Sequence, residues 1–138
     1  MPTPEMQAFA SGFPIALLHI AVSVLMLLAA AAIYIVLTPH KEVSLVRDGN
    51  VAAAVDLGGA LVGLAIPLAF SLKGSTSLFD VALWGVATVA IQLLVYRLVD
   101  LVLHDLPKRI QDGEVAAAAV LVGAKLATAM IVAASVAT

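Results

Sequence analysis

Four ionisable residues stand in stretches that are otherwise apolar: Asp56, Arg97, Asp100 and Lys125. Charged side chains at membrane depth are rare, face the interior of a helix bundle, and mark ion or proton paths by default. Their charges sum to zero, so mutual pairing is open to them. On helical segments, the rise of about 1.5 Å per residue puts Asp56 roughly 8 Å in from the start of its stretch. Arg97 and Asp100, three residues apart and therefore neighbours, fall at a similar level. Lys125 lies about 15 Å along the last stretch, near the bilayer midplane. Two pairings fit this pattern: Asp56 with Arg97, which also meets Asp100, or Asp56 with Lys125 across the bundle. The first only fixes helix order. The second leaves a lysine whose stem cannot easily reach either interface.

Packing faces accompany the charges. Steps of three, four and four put Asp56, Gly59, Gly63 and Pro67 on one helical stripe. Small residues at that spacing let another helix approach closely, and Pro67 removes a backbone hydrogen bond. Ala119, Gly123 and Ala127 form a second small-residue face, whereas Lys125 shares a different stripe with Ala118, Thr128 and Val132.

The elements that must carry these residues follow from composition. The 138 residues are 63% hydrophobic and 12% charged, with a mean hydropathy of +1.13, whereas soluble domains carry about 25% charged residues. Four apolar stretches, about Pro14–Leu37, Val51–Leu72, Phe79–Leu103 and Val115–Ala137, are long enough to cross a bilayer, which needs roughly 20 helical residues. None alternates with period two, so barrel strands are excluded. The expectation is an all-α integral membrane protein of one domain over residues 1–138. Two helical hairpins in tandem are expected, repeat one about 14–72 and repeat two about 79–137. Residues 1–13 hold no Lys or Arg, so the first stretch reads as a retained helix and not a signal peptide. Asp48 or Asn50, and Asp112, are candidate helix caps. Tyr34, Trp84 and Tyr96 read as interface anchors.

Lys41, Arg47, Lys108 and Arg109 lie between the first and second stretches and between the third and fourth; the middle loop offers Lys73. That bias predicts cytoplasmic first and third loops with both termini periplasmic, and makes the four cations candidates for docking a soluble partner.

The repeat is visible directly. Between Asp48–Ser71 and Asp112–Ser135, twelve of twenty-four aligned positions are identical, six of them alanine. The shared Asp-Gly start, Gly59 with Gly123, and His40 with His104 are more specific than the alanines. Each unit contributes two spans, so the copies should share one orientation, unlike the inverted repeats of many transporters.

Other chemistries lack their residues. Without cysteine there is no disulfide or thiolate site. No phosphate loop, HExxH or Gly-x-Ser-x-Gly elbow is present, and no base accompanies Ser71, Ser75 or Ser77, so an enzyme is not expected. His19, His40 and His104 have no ligand set of suitable spacing, so neither metal nor other cofactor is expected. A net charge of −2 with no basic run argues against nucleic acid.

"TPH" at Thr38–His40, "GNVAAAV" at Gly49–Val55, "GLAIPLA" at Gly63–Ala69 and "WG...AIQLLV" at Trp84–Val95 resemble the YjfL-type bacterial inner-membrane proteins, classed as domain of unknown function family 350. The resemblance covers nearly the whole chain and implies a four-helix inner-membrane protein, often built of two related hairpins. It also implies genes near envelope-stress and polyamine-related ones, and supplies no activity or functional residues. The reading is therefore a small multi-pass protein of the bacterial inner membrane, homo-oligomeric, forming an ion or proton pathway that uses its intramembrane charges. The alternative is a non-conducting scaffold or subunit of an envelope-stress system that docks a soluble partner.

Overall fold

The computed structural model describes residues 1–38, 42–74 and 77–136. Within them the elements run α1 (Pro4–Leu37), α2 (Glu42–Arg47), α3 (Val51–Gly74), α4 (Leu78–Leu103), α5 (Leu106–Gln111) and α6 (Val115–Val136). Four of these, α1, α3, α4 and α6, are long and apolar enough to cross a membrane.

The first helix starts a full ten residues before Pro14. Thr3 accepts a hydrogen bond from the Met6 N–H at 3.2 Å, and Pro4 occupies the first helical turn, where its missing N–H costs nothing. Pro14 is accommodated inside the helix. At 34 residues, α1 is about 51 Å long, well beyond a hydrocarbon core of about 30 Å. Its buried residues, Ala31 and Tyr34, both lie in the C-terminal third, so α1 docks by one end.

The first and third loops contain the short helices α2 and α5. Both end identically. Gly49 and Gly113 take φ of +86° and +81°, which glycine adopts without a Cβ penalty. Asn50 N–H bonds Leu45 O at 2.9 Å and Gly49 N–H bonds Val46 O at 3.0 Å; Glu114 to Arg109 and Gly113 to Ile110 repeat the pattern at the same distances. These are Schellman motifs. Asn50, rather than Asp48, caps α3, accepting from Ala53 N–H at 2.9 Å. Its amide also donates to Ile110 O and Gln111 O, each at 2.9 Å. The two short helices are thereby tied together on one face of the molecule.

The largest helix contact joins α3 to α6, through facing alanines Ala52, Ala53, Ala117 and Ala118. Gly59 permits the approach: a Cβ there would lie 2.5 Å from Val122 Cγ2. The helix α4 packs on both, and α1 closes the bundle against α3 and α4.

Candidate functional site

At the centre of the bundle, Lys125 Nζ donates to Asp56 Oδ1 at 2.6 Å, and neither side chain is exposed. Asp56 is about five residues along α3 and Lys125 ten along α6, a depth difference of about 7.5 Å. The lysine stem spans that difference by running toward the loop side. The ammonium also lies 4.6 Å from the centroid of the Tyr34 ring and 6.0 Å from that of Tyr96, within cation–π range. One ion pair thus draws on all four long helices: Tyr34 from α1, Asp56 from α3, Tyr96 from α4 and Lys125 from α6.

Proline shapes the next layer. Pro67 cannot donate to the Gly63 carbonyl, four residues earlier, so that acceptor lacks its helical partner. Gln92 of α4 fills the gap, its amide donating to Gly63 O at 3.4 Å and to Lys125 O at 3.1 Å. Gly63 leaves the room for it, since a Cβ there would approach Gln92 Nε2 to 3.2 Å.

The four-charge cluster expected from sequence is divided. Arg97 is exposed on α4 and makes no hydrogen bond or ion pair with the described residues. Asp100 Oδ1 accepts from the Leu106 N–H at 2.8 Å and fixes the start of α5. The Asp56–Arg97 alternative fails because Asp56 faces α6, the neighbour with which α3 packs most closely. Tyr34 and Tyr96, read as interface anchors, are buried against Lys125. Gly59, Gly63 and Pro67 are buried with Asp56, but Ala119, Gly123 and Ala127 face outward. The helix α6 instead buries Ala118, Leu121, Lys125, Ala129 and Val132. Turning Lys125 to lipid would leave its charge unpaired in hydrocarbon, which outweighs the benefit of a small-residue contact.

Of the loop cations, Arg47 and Lys108 are exposed. Lys41 lies outside the described residues, as does His40. Arg109 is committed to the loop itself. Its Nε donates to Glu114 Oε2 at 2.8 Å and its Nη1 to Leu103 O at 2.7 Å, and a second fork nitrogen meets Glu114 Oε1. The hydrogen bond from Arg109 holds the Glu114 carboxyl below the usual carboxylate range, and the same bond raises the Arg109 guanidinium further. His19 is exposed on α1, its carbonyl accepting from Ser23 Oγ; His104, also exposed, has a φ of +61° as the C-cap of α4.

Two site residues escape a reading by charge and motif. Gln92 is the amide that the buried proline demands, and a proline within a span is the signal for such a donor. Glu42 of α2 is fully buried, and sixty-four residues later its counterpart Leu106 is fully buried too. The offset that aligns 48–71 with 112–135 therefore marks Glu42: a carboxylate fills a position where the aligned stretch has leucine.

Residues 8–136 match the family described as Domain of Unknown Function (DUF350). The chain is similar to UPF0719 inner membrane protein YjfL of Escherichia coli strain K12, 34% identical over 96 residues that cover 70% of this chain and 73% of the relative. The protein of the same description from Escherichia coli O157:H7 gives the same figures. No solved structure is significantly similar.

Proposed function

The chain belongs to the DUF350 family, and from that premise we propose that it is an inner-membrane protein conducting protons through its buried Asp56–Lys125 pair. The carrying observation is that pair: opposite charges 2.6 Å apart, wholly shielded, at the meeting point of four spans. A hydrated ion needs a wet passage, whereas a proton needs only groups that exchange it. Moving one proton from the ammonium to the carboxylate turns a charged pair into a neutral one, and a low-dielectric interior brings those two states close in energy. Buried polar groups lie at other depths: Glu42 on the loop side, and Gln92, Thr88 and Ser71 toward the opposite side. They support a relay within one chain rather than a pore between copies.

The same proposal takes the chain as two parallel hairpin units with both termini periplasmic. The matching Schellman motifs and the Asn50 clamp support it, as does the excess of Lys and Arg in the first and third loops. It assembles as a homo-oligomer through outward faces such as Ala119, Gly123 and Ala127. It performs no enzymatic reaction.

Reconstitution in vesicles with a trapped pH dye tests the relay. Proton flux is expected for the parent and is expected to fall to the protein-free level in Lys125→Met and Asp56→Asn, with helical content retained. Equal flux in both variants refutes the relay. A parent without flux leaves the second reading, a non-conducting scaffold docking a soluble partner. The clamped loop face with exposed Arg47 and Lys108 supports that reading, and charge reversal at those two residues should then abolish capture of the partner.

A further inference from the structure

A seam between α1 and α4 runs from the loop side into the membrane. Its deeper part is a crevice of about 340 Å³ walled by apolar side chains of α1, α3 and α4, among them Met26, Ile33, Leu64 and Val86. Its outer part is a groove of about 520 Å³ that reaches Tyr96, Arg97, Asp100 and Pro107. Leu37 and Leu93 line both, so the two join into one slot.

The depth of the slot points to its occupant. With 26 residues, α4 is about 39 Å long, and a hydrocarbon core of about 30 Å leaves roughly 4–5 Å of helix beyond each boundary. Arg97 lies six residues before Leu103, about 9 Å from the helix end and so about 4–5 Å inside the hydrocarbon. From there its guanidinium reaches the headgroup level by extending toward the interface. On α4 the crevice opens at Leu93, about 10 Å inside the loop-side boundary, and runs past the midplane to Val81 near the opposite boundary.

We propose that this slot holds one phospholipid whose headgroup carries a protonated primary amine, of the phosphatidylethanolamine class. The phosphate sits on Arg97, the ammonium on Asp100, and one acyl chain enters the crevice at Leu93 and runs toward the midplane. Charge complementarity selects the headgroup. Arg97 and Asp100 lie one turn apart without forming an ion pair to each other, and a zwitterion answers both. The guanidinium fork matches a phosphate. Asp100 has Oδ1 on the Leu106 N–H and accepts the ammonium through its remaining capacity. A phospholipid of net negative charge brings the same phosphate but no cation for the carboxylate, and a quaternary choline has no N–H to donate.

The test is native mass spectrometry of the protein released from nanodiscs containing equal parts phosphatidylethanolamine, phosphatidylglycerol and phosphatidylcholine. One retained phosphatidylethanolamine per chain is expected, favoured about tenfold over either competitor, the size of one charge-assisted hydrogen bond. Arg97→Gln should lose the adduct with every headgroup. Asp100→Asn, which keeps an acceptor for Leu106, should retain a lipid but lose the preference. Gly85 lines the crevice and a Cβ there meets nothing within 4 Å, so Gly85→Leu should fill the slot and weaken retention without touching either charge. Equal retention of the three headgroups overturns the proposal, as does retention unchanged by Arg97→Gln. A dimer whose formation protects the groove in place of lipid also overturns it.

Discussion

Lys125 and Asp56 meet at 2.6 Å with neither side chain exposed, whereas Arg109 and Glu114 meet on the loop face with side chains 32% and 38% exposed. Both are direct cation–carboxylate contacts, and the surroundings make them different devices. Around Arg109, water replaces whatever the pair loses, so its effect is local: it braces the turn between α5 and α6. Around Lys125 there are two tyrosine rings and close-packed helix backbone. Removing one partner there strands the other in a medium that cannot solvate it. A buried pair is a weak source of stability compared with a well-packed apolar substitute, yet breaking it is expensive. The proposed relay requires that asymmetry: a pair that stays together at rest and exchanges a proton only when driven.

The sharpest way to break the contrast is a double-mutant cycle. Lys125→Met alone should cost about 3–5 kcal/mol of stability, because it removes the ammonium from a buried carboxylate. Combining it with Asp56→Leu should recover most of that loss, since the pair is then replaced by apolar volume. Unfolding in mixed micelles with increasing SDS measures both. A double variant as unstable as Lys125→Met would mean that the ammonium's tyrosine contacts, not the stranded carboxylate, dominate the site.

What the sequence made legible divides along the same line as the two pairs. Local features could be read: four spans from hydropathy, the Asp-Gly turns that became Schellman motifs at Gly49 and Gly113, and the small stripe that Asp56 shares with Gly59, Gly63 and Pro67. These depend on residues near one another in the chain. The rotation of α6 about its axis depends on long-range pairing, so Lys125 and not Ala119–Gly123–Ala127 ended up inside. Glu42 was missed because the short helix that buries it is set by packing against the rest of the loop face. The apolar stretch begins at about Pro14, yet α1 begins at Pro4 under the Thr3 cap and carries Pro14 inside it. Neither Tyr34 nor Tyr96 could be assigned to the core while their distances from Lys125 were unknown.

The two similar stretches, 48–71 and 112–135, supply a second contrast with a smaller expected effect. Gly59 and Gly123 occupy equivalent positions, but a Cβ at Gly59 would meet Val122 Cγ2 at 2.5 Å while one at Gly123 meets nothing within 4 Å. Gly59→Ala should cost about 1–3 kcal/mol by overpacking the α3–α6 contact. Gly123→Ala should fall within about 0.5 kcal/mol of the parent in a monomeric preparation. Both are readable in the same SDS titration. A cost at Gly123 that appears only at high protein-to-lipid ratio would locate the contact between copies on that face.

The smallest effect belongs to the exposed pair, and its signature is pH. The Arg109 hydrogen bond lowers the folded carboxyl of Glu114 below its unfolded value, so the folded state holds the charged form more firmly than the unfolded chain does. The resulting stabilisation is complete above the unfolded carboxylate value and is lost as pH falls through the lowered folded one. Arg109 is raised and stays protonated across that window, so within this pair the acid limb reports Glu114. Arg109→Gln should flatten that limb between the two values and leave stability at neutral pH little changed, because solvent screens the pair. High salt should mimic the variant in the parent. An unaltered acid limb in Arg109→Gln would place the lowered titration elsewhere. The turn between α5 and α6 would then owe its form to Gly113 and its backbone bonds, as the first turn does at Gly49, where Leu45 stands in the position of Arg109.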